Sequence, residues 1–241
     1  MDFRVFKGFF LKNIDYHLIE KPEIERKLFN KSTAIFHRRI TQWDTGLESD
    51  DYFIICDKEK NLDTYKSDHR NRIKRFKKKF IIRKVSREIF LRDSETLYNN
   101  KPHRIFKIKI PLRRLIDRPG KHEYIVVYDL VKNKTEGFCD LIIGERSIEF
   151  SVIRFGNSNL TDWGLIHYLN TEYLNENTYL VNGFKSYFHG INFQQKLLNY
   201  FGYRKCYVEL ELNTKISKPI LFFFHKILPS NRLKAIIESF L

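Results

Sequence analysis

Residues 123–156, EYIVVYDLVKNKTEGFCDLIIGERSIEFSVIRFG, decide the fold. They contain three runs rich in β-branched and aromatic residues, Glu123–Leu130, Glu136–Ile143 and Ser147–Phe155, which are typical of strands. Parallel neighbours need a connection of about a dozen residues or more, and the connections here are much shorter. The segment therefore predicts a three-stranded antiparallel meander.

Helices and strands continue on both sides of this meander. Upstream, amphipathic patterns predict helices over 67–80 and 87–99, with a strand over 81–85 between them. Downstream, a helix over 162–175 with Thr161 as its N-cap, a strand over 178–181, a helix capped by Asn192 and a strand over 203–212 are expected. The order predicts a mixed α/β (α+β) protein with a mostly antiparallel sheet flanked by helices.

Composition indicates one compact domain of 241 residues, 42% of them hydrophobic. Within it we expect an N-terminal extension over 1–66 that packs on the core, a core over 67–215 and an amphipathic C-terminal segment over 216–241. The three widely spaced cysteines predict neither a disulfide framework nor a zinc site, and favour a reducing compartment. Without a targeting signal or an apolar span, the expected location is cytoplasmic, with peripheral attachment to the inner membrane face as an alternative.

The formal net charge of +15 predicts a polyanionic partner: RNA, a phosphorylated carrier such as coenzyme A, or an anionic membrane surface. Ordinary surface lysine is the alternative explanation. Between Arg70 and Arg87 the chain has many cations and no acidic residue, so no ion pairs along the helix offset their repulsion. The candidate anion-binding residues of this basic helix are Arg72, Lys74, Lys77 and Lys78.

Two stretches, 62–78 and 181–205, resemble FemAB-like members of the acyl-CoA N-acyltransferase (GNAT) superfamily. The first resembles the basic helix that precedes the acyltransferase core, and the second resembles the terminal helix with its closing Gly-Tyr-Arg. The resemblance implies a GNAT-like fold that binds acyl-CoA as co-substrate and acylates an amine of a small acceptor such as an amino sugar. The alternatives are aminoacyl transfer from tRNA on the same fold, and a non-catalytic module that binds RNA or membrane.

The resemblance also implies a cleft where two parallel strands, here 147–155 and 178–181, part from each other. A glycine-rich loop normally holds the pyrophosphate there through backbone N–H groups and a helix N-terminus. This chain has only one glycine in that loop, and Asp162 at its end would repel phosphate. The candidate cofactor-binding residues are Arg154, Gly156, Asn157, Ser158 and Asn159.

Few side chains are needed for acyl transfer beyond a proton acceptor and a proton donor. The resemblance implies Tyr200 as the donor, although a core aromatic is the alternative. His189 is the candidate base, with His167 as a second option that is more often a packed histidine. Candidate substrate-binding residues are Trp43, Asn192, Gln194 and Gln195, and no metal is expected. Phosphate-loop NTPases, Rossmann enzymes, zincins and serine hydrolases are disfavoured because their motifs are lacking.

Overall fold

The computed structural model describes residues 3–6, 9–12, 29–31, 36–39, 52–58, 60–100, 104–105, 108–118, 120–184, 191–207 and 209–212. The helices are α1 (Ser67–Lys79), α2 (Arg87–Asn100), α3 (Leu112–Leu115), α4 (Thr161–Tyr173) and α5 (Ile191–Tyr200). The strands are β1 (Phe3–Phe6), β2 (Phe9–Lys12), β3 (Phe36–Arg39), β4 (Tyr52–Cys56), β5 (Phe80–Val85), β6 (Arg104–Ile105), β7 (Ile108–Lys109), β8 (Lys121–Asp129), β9 (Lys134–Ile143), β10 (Ser147–Phe155), β11 (Tyr179–Phe184), β12 (Arg204–Tyr207) and β13 (Glu209–Leu212).

Seven strands form the main sheet, in the order β12-β4-β11-β10-β9-β8-β5. The pairs β5–β8, β8–β9 and β9–β10 are antiparallel, whereas β10 and β11 are parallel. The predicted meander and the predicted fold class, a mixed and mostly antiparallel sheet flanked by helices, are both confirmed. The stretch 101–118, whose pattern was ambiguous, contains the β6–β7 hairpin and α3.

The chain divides into two compact units, 1–54 with 184–193 and 205–241, and 55–183 with 194–204. In the first unit a four-stranded sheet has the order β1-β2-β3-β13. The second unit contains the meander and the helices α1 to α4. The C-terminal segment 216–241 lies outside the described residues, and the expected extent of the domains stays a prediction.

One face of the meander packs on α2. Phe90 and Tyr98 of α2 are buried in a cluster with Val126 of β8, Phe138 of β9 and Val152 of β10. Side chains two residues apart along a strand lie on the same face, so Asp140 shares this face with Phe138. We call it the α2 face.

The opposite face packs on α4, and α1 covers α4 in turn. A Cβ added to Gly137 of β9 would come within 2.7 Å of Thr161 Cγ2, which identifies this as the α4 face. A Cβ added to Gly164 of α4 would come within 2.0 Å of the Phe76 ring of α1. Only glycine allows the two helices to approach this closely.

Three local expectations differ from the structure. The N-cap of α4 is Leu160, because Thr161 is buried inside the first turn and the Asp162 carboxylate accepts the Trp163 N–H at 2.8 Å. Asn192 is the second residue of α5 and does not precede the helix. The strand expected over 203–212 is divided between β12 and β13, which belong to different sheets. Alternating polarity predicts a strand but does not say which sheet it joins.

Candidate functional site

The parallel strands β10 and β11 pair over only three positions. Their register runs from Ser147 opposite Tyr179 to Glu149 opposite Val181, although both strands continue further. Where this pairing ends, the β9–β10 register shifts between Phe150 and Val152, which marks a β-bulge. The expected parting of these strands is therefore confirmed. Bulges commonly lie beside functional sites because they redirect a side chain.

A buried histidine–aspartate pair lies on the α2 face next to the bulge. His122 Nδ1 is 2.7 Å from Asp140 Oδ1, and its Nε2 is 2.8 Å from the backbone oxygen of Arg118. A carbonyl oxygen can only accept, so Nε2 carries a hydrogen. The side chains of His122 and Asp140 are 9% and 0% exposed, so their shared proton is held away from solvent.

Both members of this pair hold protons more tightly than usual. The hydrogen bond to Asp140 raises the pKa of His122. Burial raises the pKa of Asp140, although His122 acts in the opposite direction. A buried carboxyl group that has a raised pKa and is hydrogen-bonded to a histidine is common at sites of acid–base chemistry.

An ion pair adjoins the dyad. Arg118 donates two parallel hydrogen bonds to Glu149, Nη1 to Oε1 at 2.8 Å and Nη2 to Oε2 at 3.1 Å. The Arg118 backbone oxygen is the one that accepts from His122, so the ion pair and the dyad are linked through a single residue. Glu149 is also the last residue of β10 that pairs with β11. The ion pair thus stands where the strands begin to part.

Two buried oxygens at the bulge, Asp140 Oδ2 and Ser151 Oγ, make no well-formed hydrogen bond within the described residues. The Ser151 hydroxyl nevertheless acts as a weak hydrogen-bond donor to the Asp140 carboxyl and lowers its pKa. A buried polar atom without a partner is costly, since it loses its bonds to water without replacement. Such a pair of atoms is suited to a polar group of a bound substrate.

Three predicted cofactor-binding residues, Arg154, Gly156 and Asn157, line a cavity of about 500 Å³ at the far end of β10. The Gly156 amide does not face it freely, because it donates to the Glu136 backbone oxygen at 2.7 Å. Arg154 Nη1 donates to the Ile153 backbone oxygen at 2.9 Å, and burial lowers the pKa of Arg154. The cavity wall is completed by Arg92, Asp93, Thr96, Leu97, Asn100, Tyr128, Asn133, Lys134, Thr135, Glu136 and Phe155.

The N-terminus of α4, where the resemblance places the pyrophosphate, is occupied by protein groups. Asp162 pairs with Lys196 of α5, whose Nζ lies 4.6 Å from the centre of the Trp163 ring. His69 of α1 stacks on the same ring, with 4.3 Å between ring centres. Of the remaining predicted loop residues, Ser158 accepts the Leu160 N–H at 3.3 Å and Asn159 is exposed. A phosphate would have to displace a carboxylate here.

The predicted proton donor Tyr200 lies on the α4 side, away from the dyad. Its ring centre is 4.8 Å from that of His69 and 5.4 Å from that of Trp163. His167 is buried, which lowers its pKa, and it lies edge-on to Tyr65. The structure therefore does not bring Tyr200 or His167 together with His122 and Asp140, and the role of Tyr200 stays a prediction.

The other predicted site residues are scattered. Trp43 and His189 lie outside the described residues, as does the side chain of Asn192. Gln194 is half-buried, and Gln195 donates to Asn199 Oδ1 at 2.7 Å. Lys74, Lys77 and Lys78 of α1 are exposed, whereas Arg72 is half-buried and lies 5.6 Å from the Trp163 ring centre.

The sequence patterns did not predict the His122–Asp140 dyad or the neighbouring Arg118–Glu149 ion pair. The detectable signal was a carboxylate between apolar neighbours in each of two strands, Asp140 and Glu149. Charged residues are almost never fully buried unless they are paired. His122 and Arg118 gave no signal of their own, because they precede the run that was recognised as a strand.

Among the described residues, no group of three or more histidine, cysteine, aspartate or glutamate side chains is arranged to hold a metal ion. None of the described helices has the length and apolar character needed to cross a membrane. Cys56, Cys139 and Cys206 are not disulfide-bonded, and all three are buried.

Comparisons with known proteins support the fold. No protein-family model and no curated protein matches the sequence. The chain is similar to L-PGS from Bacillus licheniformis, at 15% identity over 92% of this chain and 83% of that one, with a TM-score of 0.51. It also resembles the C-terminal domain of a putative lysylphosphatidylglycerol synthetase from Agrobacterium fabrum, at 10% identity over 86% and 74% with a TM-score of 0.46. A probable N-acyltransferase from Enterococcus faecalis follows at 12% identity over 81% and 50%, TM-score 0.41.

At these identities the likeness establishes the fold alone, and the L-PGS structure carries that point. The strand order, the parallel pair that parts and the L-PGS likeness agree on a GNAT-like fold. The FemAB-like assignment within it stays a prediction.

Proposed function

We propose that the protein transfers an acyl or aminoacyl group to an amine acceptor at the point where β10 and β11 part. The observation that carries this proposal is the end of their pairing after Glu149, next to the bulge at Ser151. There, the carbonyl of a donor can enter between the strands, and an acceptor can approach it from the α2 face. Holding the two reactants in this geometry supplies much of the rate enhancement in acyl transfer.

Asp140 is the proposed proton acceptor. The acceptor nitrogen attacks the donor carbonyl carbon, and its surplus proton passes to Asp140 Oδ2, the carboxylate oxygen that does not bond to His122. The bond from the carbonyl carbon to the leaving oxygen or sulfur then breaks, and the leaving group takes up this proton from Asp140, which returns to the carboxylate form. His122 holds the other carboxylate oxygen and fixes its orientation. Glu149, which pairs with Arg118, can bond instead to a cationic group of the acceptor.

The favoured donor is an aminoacyl-tRNA, which the sequence resemblance gives as the alternative to acyl-CoA on the same fold. Asp162 occupies the N-terminus of α4, and the Gly156 amide is bonded to Glu136, so two elements that would bind the pyrophosphate of coenzyme A are already used. Meanwhile Lys74, Lys77 and Lys78 are exposed on one helix of a protein with a net charge of +15. An extended polyanion matches that surface, and its binding would weaken steeply with salt.

Acyl-CoA remains the second candidate donor, with an amino sugar as the acceptor. The cavity of about 500 Å³ beside Gly156 supports it, because Arg154 and Asn157 can both bond to a phosphate. In this case the acyl-CoA would raise the melting temperature of the protein through ligand linkage, and Arg154→Gln would abolish the shift.

The deciding experiment supplies both donors to the same protein. Purified protein is given aminoacyl-tRNA with labelled amino acids, or acetyl-CoA and longer acyl-CoA, together with a panel of amines. Thiol release from acyl-CoA can be followed with a thiol reagent, because the protein's own cysteines are buried and the pKa of Cys56 is raised to about 11. We expect transfer from tRNA that is lost in Asp140→Asn.

Glu123→Gln is the matched control, since it neutralises a half-buried carboxylate that bonds to Tyr173 on the α4 face of the same sheet. Transfer should survive in this variant. Equal activity of Asp140→Asn and wild type, or consumption of neither donor with no effect of either on the melting temperature, would overturn the proposal. Stable salt-sensitive tRNA binding without any transfer would support the non-catalytic module instead.

A further inference from the structure

The turn between β8 and β9 exposes two aliphatic side chains. Leu130 is 57% exposed and Val131 is 88% exposed, the highest values among large hydrophobic residues in the described ranges. Turn positions usually carry polar or small residues. We call Leu130 and Val131 the apolar tip.

The apolar tip is held in one conformation. Asp129 Oδ1 accepts the backbone N–H groups of both Val131 and Lys132 at 2.9 Å. The Leu130 N–H donates to the backbone oxygen of Lys79, the last residue of α1, at 2.9 Å. Asn133 closes the turn in the left-handed region with φ of 46°. The tip is thus fixed to the rest of the protein and its two side chains point away from the core.

Cations surround the apolar tip. Lys132 and Lys134 are exposed within the same turn, and the contact with Lys79 brings the last turn of α1, with Lys77 and Lys78, alongside it. A cavity of about 450 Å³ lies next to the tip and is lined by Lys79, Phe80, Asp129, Val131, Lys132, Lys134, Glu136, Asn157 and Ser158. Of the two carboxylates in this lining, Asp129 accepts backbone N–H groups, and Glu136 pairs through Oε1 with Lys134 at 2.5 Å while its buried Oε2 has no hydrogen-bond partner within the described residues.

We propose that this turn docks on an anionic phospholipid bilayer, with the apolar tip in the interfacial region and Lys79 and Lys132 on lipid phosphates. Aliphatic side chains next to lysines suit the boundary between acyl chains and anionic headgroups. The cavity beside the tip can receive a phosphate, because Lys79 and Lys132 can bond to its oxygens together with Asn157 and Ser158.

The observations favour a bilayer over the other occupants. RNA-binding surfaces use aromatic rings or arginine planes to stack on bases, and the apolar tip has neither. The surface area of two aliphatic side chains is also far smaller than the roughly 1,000 Å² that a stable protein–protein interface buries. A bilayer requires only a shallow apolar contact supported by several cations.

The experiment is co-sedimentation of the full chain with vesicles of phosphatidylcholine alone and of phosphatidylcholine mixed with phosphatidylglycerol. We expect binding to the mixed vesicles that decreases with salt. Leu130→Ser with Val131→Ser should weaken it about tenfold, and Lys132→Gln should weaken it about threefold. Lys121→Gln, an exposed lysine at the opposite end of β8, is the matched control and should bind like wild type.

A second variant guards against an uninformative loss of fold. Val131→Trp should strengthen binding to mixed vesicles, and the tryptophan emission should shift to shorter wavelength on binding. No binding to mixed vesicles, or equal binding of the wild type and the double serine variant, overturns the proposal. If the wild type does not bind vesicles and the double serine variant loses tRNA binding, RNA is the occupant and the proposal is overturned. If the double serine variant changes its oligomeric state, a second copy of the chain is the occupant and the proposal is likewise overturned.

Discussion

The two faces of the meander are built from different chemistry. On the α4 face, Gly164 brings α1 against α4, and His69 and Lys196 lie on the Trp163 ring. On the α2 face, the apolar cluster gives way toward the bulge to His122 and Asp140, which carry a shared proton in a buried position. Both faces are closely packed, and the buried histidine–aspartate pair lies on the α2 face alone.

The candidate residues that the resemblance implies and the buried histidine–aspartate pair lie on opposite faces of the sheet. In the implied family arrangement the helix N-terminus after the fourth strand of the core and the tyrosine of the last helix serve the donor. In this protein the residues at those two positions make contacts on the α4 face: Asp162 pairs with Lys196, and Tyr200 packs on Trp163. The groups that can take up a proton are found across the sheet.

The largest expected effect comes from Asp140→Asn. The amide can still bond to His122, but it cannot accept a proton, so transfer should fall by about 10² to 10⁴ fold. Rates with the preferred donor measure this, and circular dichroism checks the fold. Retention of more than a tenth of the wild-type rate would place the chemistry elsewhere.

Arg118→Met should destabilise the α2 face by about 2 to 3 kcal/mol, after allowance for partial exposure. The side chains of Arg118 and Glu149 are 25% and 11% exposed, so removal of the cation leaves a mostly buried carboxylate without its bidentate partner. Urea unfolding measures the loss. Glu149→Gln in the same chain should recover part of it, and additive losses in the double variant would show that the two residues do not interact.

Gly164→Ala tests the opposite face. Alanine normally favours a helix over glycine by about 1 kcal/mol, but here its Cβ meets the Phe76 ring, so we expect a net loss of about 1 to 2 kcal/mol. Thr171→Ala, at an exposed position of the same helix, is the control and should change stability little. The pH dependence of transfer should be unaltered in Gly164→Ala, since the dyad lies across the sheet.

The smallest expected effect is the pH dependence of stability through His122. Its pKa is raised in the folded protein, so its stabilising contribution is complete below the ordinary value of 6.5 and is lost as the pH rises through the folded pKa. The difference in unfolding free energy between wild type and His122→Gln should therefore be larger near about pH 6 than near about pH 9. An increase of this difference with pH would contradict the assignment of the shared proton.

The elements with strong periodicity were predictable from sequence. Ser147–Phe155 was expected as a strand with those bounds, and α1 was expected from Ile73 and Phe76, which are buried among exposed cations. The parting of β10 and β11 followed from the GNAT-like resemblance. Local patterns fix period and polarity, and these are what determine such elements.

The site was not predictable in the same way. Asp140 meets His122 only because β8 and β9 pair in a register that sets Tyr124 opposite Asp140, and a separation of 18 positions gives no local sign of it. The neighbouring ion pair likewise joins Arg118 and Glu149 across 31 positions. Contacts between residues far apart in sequence depend on the tertiary fold, and local motifs carry no information about it.

The burial of all three natural cysteines has a practical consequence. Their burial, together with the raised pKa of Cys56 and of Cys139, keeps them from reacting with maleimide dyes in the folded state. A single cysteine introduced at Val131 would then be the accessible thiol of the chain, without removal of any native one. A fluorophore attached there would report, in real time, which environment the β8–β9 turn enters.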